Sequence, residues 1–379
     1  MPMTAVATRN QAIDALRGVS IVLVVMHHLA IRIPLARTDI AHVLPRWLLD
    51  ALCWNGGESV MVFFVISGFL ITGNALDRWG AIGRPQFRAF YLRRAARILP
   101  CLCALIAILA VLDLLRLHDY AITRPEQSLP AAAFAALTFH LNWYEAATGY
   151  LPGNWDVLWS LSVEEVFYLG FPCLCLLARY GAAPLVALLA ALALSLPVTH
   201  GAIHANELLR EKAYLPGMAA IAAGVLAALA AHRIAVPRAV CAAFVALGGI
   251  CWCAVLFAEH TLWGALGEST MLILTLGTAV LLHGLHRLPT LTLPATGWLR
   301  AFGRLSYEVY LTHMFVVFTA LSWFRAAALS LHAAYLIYPP VLAVSWAIAM
   351  LVGRFFSQPA DHWLRRRWPP AAPAAPQLA

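Results

Sequence analysis

Ionisable side chains inside an apolar helix are expensive to bury, so their spacing is the first place to look for chemistry. The stretch Ile13–Leu29, IDALRGVSIVLVVMHHL, carries Arg17 and His28 eleven residues apart. At about 100° per residue this returns both side chains to within roughly 20° of one helix face, some 16 Å apart along the axis. His27 points elsewhere. An imidazole at that depth can take a proton from a hydroxyl near neutral pH, as a general base must, or it can serve as a hydrogen-bonded helix contact. Arg17 can bind an anion or snorkel to lipid phosphate.

Four further blocks carry polar groups at helical spacing. In Phe90–Pro100, Arg93 and Arg97 are i, i+4, with Arg94 i, i+3 to Arg97. Such a fork suits phosphate and equally suits a basic membrane anchor. The run Gly56–Thr72 places Glu58 at its start, where it can titrate at a pore mouth or stay solvated, and Ser67-Gly68 further on, a pair that favours close helix packing. In Trp159–Tyr168, the adjacent carboxylates Glu164 and Glu165 cannot easily both stay charged in an apolar helix. Ser160, Glu164 and Tyr168 form one stripe, which points to Glu164 as the interior-facing group. Ser306, Tyr310 and His313 share a face in Ser306–His313, with His313 near mid-membrane.

The elements that must position these groups are membrane spans. Of the 379 residues 62% are hydrophobic and 12% charged, and the mean hydropathy is +0.77. That excludes an ordinary soluble enzyme and predicts an all-α, polytopic membrane bundle. A spanning helix needs about 20 apolar residues. Ten such stretches are expected near 13–33, 56–76, 97–116, 156–178, 182–199, 214–231, 239–257, 267–286, 303–325 and 333–356. With the N-terminus inside, eighteen of the 26 lysines and arginines fall in inside segments, so both termini are expected in the cytoplasm. The net charge of +8 is thus explained without nucleic acid. Residues 77–96 read as a basic interfacial helix, and Pro130–Leu141 as a re-entrant piece or cap within the long connection 117–155. The first apolar run lacks a cleavage site and is expected to be retained. Residues 1–364 form the membrane domain, and 365–379 a basic, then Pro/Ala-rich disordered tail. The cysteines, three C-x-C pairs among them, lack metal or redox spacing and read as buried core residues, so no metal is expected.

Taken together and in order, the blocks resemble the membrane acyltransferase-3 family, whose bacterial members O-acylate cell-envelope glycans and other hydroxyl acceptors. The resemblance covers nearly the whole chain. D-x-L-R-G with a histidine eleven residues past the arginine stands at Asp14, Arg17 and His28. F-F-V-x-S-G-F-L-I runs from Phe63 to Ile71, R-R-x-x-R-I-x-P from Arg93 to Pro100, W-S-L-S-V-E-E-x-F-Y from Trp159 to Tyr168, and S-Y-x-x-Y-L-x-H from Ser306 to His313. Two positions depart from the family pattern: Met61 stands where an acidic residue is common, and Gln358 replaces a glutamate before Pro359. No hydrolase-like domain follows the last span, so the membrane domain is expected to work alone or with a separate protein.

The resemblance implies an acyl-coenzyme A donor, commonly acetyl, reached from the cytoplasmic face of a bacterial inner membrane. Its phosphates would meet Arg17, Arg93, Arg94 and Arg97. His28 would act as general base on an acceptor hydroxyl, with an acyl-histidine as the less favoured route, and Glu164 would orient a histidine or contact the acceptor. Glu58, Tyr168 and His313 are expected on the acceptor side. O-antigen, exopolysaccharide, peptidoglycan and a secreted small molecule all stay open as acceptors. Two other readings use the same residues: a transporter of an acyl donor or lipid-linked sugar, and a non-catalytic partner in envelope-polysaccharide assembly.

Overall fold

The computed structural model describes residues 10–201, 208, 210, 212–288 and 294–368, and all regular structure among them is helical. The chain order is α1 (Gln11–Ala30), α2 (Arg46–Cys53), α3 (Gly56–Trp79), α4 (Phe87–Leu114), α5 (Leu129–Leu137), α6 (Leu141–Thr148), α7 (Leu158–Cys175) and α8 (Ala182–Leu194). It continues with α9 (Leu196–Gly201), α10 (Tyr214–Arg233), α11 (Arg238–Leu266), α12 (Ser269–Arg287), α13 (Gly297–Arg304), α14 (Ser306–Ala326), α15 (Tyr338–Val352) and α16 (Gln358–Arg367).

Among the described residues nine helical stretches are long and apolar enough to cross a membrane, one fewer than expected. The missing one is the stretch 182–199, which is the 13-residue α8 followed by the six residues of α9. Ser195 separates the two, its hydroxyl donating to the Leu192 carbonyl at 2.7 Å. Other boundaries also move. Residues 87–96, read as an interfacial helix, are the first turns of the spanning helix α4, which continues through Pro100. Arg365–Arg367 close α16 instead of opening a tail, while 369–379 lie outside the described residues. The apolar piece near Pro130–Leu141 is α5, with α6 beginning at its end. In each C-x-C pair the two thiols differ in exposure, because residues two apart on a helix point about 200° apart. Cys103, Cys173 and Cys253 are therefore exposed, not core.

The chain divides into two compact units. One holds the described residues up to Phe69 together with 220–348; the other holds 70–219 and the residues from 349 onward. In the first unit, glycines let backbones meet. A Cβ on Gly68 would overlap the Ile221 carbonyl oxygen, and one on Gly224 the Val65 carbonyl oxygen, so α3 and α10 touch main chain to main chain. This is the close packing that the Ser67-Gly68 pair favours. In the second unit, Trp79, Phe90 and Phe171 form an aromatic core, with Phe90 stacked on Phe171 at 5.9 Å between α4 and α7.

Two contacts in the first unit fix the relative direction of two helices. Along α1, Arg17 meets Ser306 and, eleven residues later, His28 meets His313. Both numbers rise together, so α1 and α14 run parallel.

Candidate active site

The first unit builds its site on the start of α1. Asn10 caps this helix, its side-chain oxygen accepting from the backbone N–H groups of Ala12 and Ile13 at 3.1 and 3.2 Å. A Cβ on Gly18 would overlap the Leu299 carbonyl, and one on Gly303 the Asp14 carbonyl. Thus α13 lies antiparallel on α1 with no room for a side chain between them. The chain then turns at Leu305 and returns as α14, which sets Ser306 beside Arg17. The Arg17 Nη2 donates to Ser306 Oγ at 2.7 Å.

Near the other end of α1 the two adjacent histidines take different roles. His27 Nδ1 lies 2.9 Å from the Cys53 carbonyl oxygen. Since a carbonyl only accepts, Nδ1 carries the proton. The ring abuts Gly56, where a Cβ would overlap it, and stands edge-on to Trp54 at 6.0 Å. His27 is a clasp for the chain entering α3. His28 instead faces α14, its ring 5.2 Å from that of His313.

His313 is fully buried. Its Nδ1 sits 2.9 Å from the Tyr310 carbonyl and 3.1 Å from that of Val309, so Nδ1 is again the protonated nitrogen and Nε2 the basic one. The pair is steadied from outside by Arg32, which donates to the His28 carbonyl at 2.7 Å and covers the Phe318 ring at 4.6 Å. The structure therefore brings together four groups that sequence spacing singled out: Arg17 with Ser306, and His28 with His313. Glu58 is buried at the first turn of α3 in the same unit.

The second unit holds the other expected residues, and here two readings change. Arg94 donates from Nη2 to Glu165 Oε1 at 2.9 Å, and its guanidinium lies over the Tyr168 ring at 3.6 Å. Arg94 is therefore engaged with a carboxylate and an aromatic face, not free to serve in a phosphate fork with Arg93 and Arg97. Glu165, not Glu164, is the buried carboxylate of the pair, with Glu164 half-buried beside it. The stripe argument failed because it ranked the faces of α7 by that helix's own residues, whereas the partner comes from α4. Tyr168, expected to contact an acceptor, is buried beneath Arg94. Arg93 is half-buried and Arg97 exposed.

Sequence reasoning missed one further cluster in this unit. Lys212, the sole lysine of the chain, is buried and donates to Glu145 Oε2 at 2.8 Å and to Asp156 Oδ1. Asn142 Nδ2 donates to the Lys212 carbonyl at 2.6 Å, and Glu145 Oε1 accepts the Leu151 N–H at 3.1 Å. Burial alone would discharge Lys212. The carboxylates of Asp156 and Glu145 outweigh it and hold the ammonium above the ordinary lysine range. The available signal was a lone lysine in an arginine-only chain.

A family model described as an acyltransferase domain matches residues 10–350. The O-acetyltransferase OatA of Staphylococcus aureus (strain NCTC 8325 / PS 47) is 31% identical over 146 residues, which are 35% of this chain and 21% of that protein. The peptidoglycan O-acetyltransferase OatA of Listeria monocytogenes serovar 1/2a is 28% identical over 173 residues, 42% of this chain and 23% of that protein. The matched stretch is under a quarter of the length of these curated relatives. No solved structure matches the chain. With its membrane-crossing helices, its five motif blocks and a family match that spans most of its length, the chain is a multi-pass membrane protein that belongs to the acyltransferase-3 family.

Proposed function

We propose that the protein moves an acyl group, acetyl in the simplest case, from acyl-coenzyme A on the cytoplasmic side of a bacterial inner membrane to a hydroxyl of a cell-envelope glycan on the outer side. The observation that carries this reading is the His28–His313 pair, 5.2 Å between rings, on two parallel helices whose shared starting end holds Arg17. The O-acetyltransferase names of the relatives support the reaction class, and the clustering of arginines in every second connection supports the orientation.

In the reaction, His28 removes the proton of the acceptor hydroxyl as its oxygen attacks the thioester carbonyl. The carbon–sulfur bond breaks, and the imidazolium returns the proton to the departing coenzyme A thiolate. His313, anchored through Nδ1, positions the His28 ring. Glu58, buried at the first turn of α3 in the same unit, is assigned to orientation of the acceptor. Phosphate recognition in the first unit is assigned to Arg17, tested by Arg17→Ala and the affinity for acyl-coenzyme A.

The test uses the purified full chain in proteoliposomes with radiolabelled acetyl-coenzyme A inside and envelope glycan outside. His28→Ala is expected to lower transfer by about 10²–10⁴-fold, the usual contribution of a general base, and His27→Ala far less. Full transfer by a folded His28→Ala protein refutes the assignment. Transfer that vanishes from the wild type when donor is supplied only outside confirms the sidedness.

A further inference from the structure

Apart from the histidine pair, the first unit gathers buried oxygen atoms that lack donors. Asn55 stands at the head of α3, and the Ser59 N–H donates to its carbonyl at 3.1 Å, so Asn55, Glu58 and Ser59 share one face at i, i+3 and i+4. All three are buried, at 1%, 5% and 1% exposure. The Asn55 Nδ2 donates to the Ala51 carbonyl at 2.8 Å and to the Leu256 carbonyl of α11 at 3.1 Å. Its Oδ1 and the Ser59 Oγ have no hydrogen-bond partner among the described residues. The Glu58 carboxylate makes no ion pair among them and accepts only from its own backbone N–H.

A second carboxylate comes from α11. Asn55 meets Leu256, Phe69 meets His286, and a Cβ on Gly284 would overlap the Cys241 carbonyl, so α3 and α11 run antiparallel. Glu58 and Glu259 each lie three residues past the Asn55–Leu256 contact, on opposite sides of it. Helix side chains lean toward the N-terminus of their own helix, so both carboxylates lean back toward that contact. Glu259 lies within electrostatic reach of Glu58, and the non-helical Ala258 (φ −125°, ψ 25°) breaks α11 between Leu256 and Glu259. Asp50 is also near Glu259, but Arg46 holds it at 2.9 and 3.0 Å. The exposed His260 offsets Glu259 only when protonated.

We propose that Glu58, Glu259, Asn55 Oδ1 and Ser59 Oγ bind a calcium-type divalent cation between the head of α3 and the break in α11. Neighbouring carboxylates in an apolar surrounding demand a counter-charge, and the groups left without a donor are all oxygens, the ligands that hard cations take. Only two of the four are acidic: no group of three or more His, Cys, Asp or Glu side chains among the described residues is placed to hold a metal, so neutral oxygens complete the set. With both carboxylates bidentate it supplies six oxygens, the lower end of the about 6–8 that calcium takes. Oxygens this buried admit an ion at about 2.3–2.6 Å and exclude a sugar ring. Calcium is chosen over magnesium because it tolerates the irregular geometry of a broken helix, whereas magnesium demands a near-ideal octahedron. Gly56, between Asn55 and Glu58, abuts the His27 ring, which puts the ion at the His28 end of α1. There it ties α11 to the corner that His27 clasps. The proposal does not rest on acyl transfer; where both hold, Glu58 serves the acceptor as part of a neutralised ion site.

The experiment measures ion binding, which requires no acyl donor, acceptor or turnover. The full-length protein is stripped with EDTA, placed in nanodiscs of zwitterionic lipid and titrated with radioactive Ca²⁺ by equilibrium dialysis. The expected result is saturable binding of about one ion per chain, weakened about tenfold or more by Glu58→Gln and by Glu259→Gln. Asp50→Asn, whose carboxylate is already held by Arg46, should leave the affinity within about twofold of wild type. A thermal melt checks folding: without calcium Glu58→Gln should melt no lower than wild type, since a stranded charge has gone, and added calcium should raise only the wild-type midpoint. Absence of saturable binding overturns the proposal, as does binding that survives both glutamine variants. Equal weakening by Asp50→Asn and Glu259→Gln shows a diffuse acidic surface and also overturns it. Saturable binding of Mg²⁺ without Ca²⁺ overturns the choice of ion.

Discussion

Replacing Lys212 by methionine tests how the segment between α5 and α7 is held. In the wild type the Glu145 side chain is 0% exposed, that of Lys212 5% and that of Asp156 26%. Asp156 can therefore fall back on water, but Glu145 cannot. Without the ammonium, Glu145 keeps only the Leu151 N–H, and an unpaired buried carboxylate is left behind. Breaking a buried pair from one side costs about 3–5 kcal/mol, and the low exposure of Glu145 places this case inside that range. Adding Glu145→Gln removes the stranded charge while its carboxamide oxygen still accepts from Leu151, so the double variant should regain about half or more of the loss. The pH dependence has a definite sign. A lysine whose folded value is raised contributes fully below the unfolded value, about 10.4, and loses its contribution only as pH rises through the folded one. Lys212 itself should thus cause no loss of stability as pH rises towards its unfolded value. Thermal unfolding of the detergent-solubilised full chain, followed by tryptophan fluorescence, reads all three proteins. A Lys212→Met protein within 1 kcal/mol of wild type, or a double variant no more stable than the single one, refutes the reasoning.

Arg94→Ala should destabilise by about 3 kcal/mol, the lower edge for a broken buried pair because the arginine side chain is 24% exposed, and Glu165→Gln in that background should restore part of it; equal stability of both proteins in a thermal melt would show that the pair is dispensable. Gly18→Ala forces a methyl into the Leu299 carbonyl and should cost about 1–3 kcal/mol, with transfer activity lost in parallel as α13 lifts from α1; an unchanged melt and unchanged activity would contradict the main-chain contact. His313→Asn keeps a donor near the Nδ1 position but removes the basic Nε2, so the fold should hold while kcat falls at least tenfold with KM little changed. His313→Phe should lose both; if His313→Asn keeps full kcat, His313 is a structural contact and not a positioning residue.

What could be read from sequence alone divides by whether the deciding contact lies within one helix or between two. Arg17 and His28 were legible because their relation is internal to α1: eleven residues is three turns, whatever packs outside. Telling His27 from His28 was likewise a question of face, and the structure adds only what each face meets, the Cys53 carbonyl for one and the His313 ring for the other. The Arg93–Arg94–Arg97 fork misled for the opposite reason. Spacing on α4 shows that three guanidiniums are neighbours, but which of them is spent depends on a carboxylate of α7. Likewise Lys212, Glu145 and Asp156 come from three separated stretches of chain, and no periodicity joins them.

The count of spans shows what composition cannot register. Hydropathy places a span at 182–199, because composition does not register the break at Ser195; among the described residues the 13 residues of α8 fall short of a crossing, and the long apolar helices number nine. The relative direction of α1 and α14 needs the side-chain contacts themselves: Arg17 with Ser306 and His28 with His313 can both exist only if the two helices point the same way. With α14 reversed, Ser306 would come to the His28 end of α1 and the histidines would separate. The parallel run of these two helices is therefore a condition for the His28–His313 pair, and through it for the proposed chemistry.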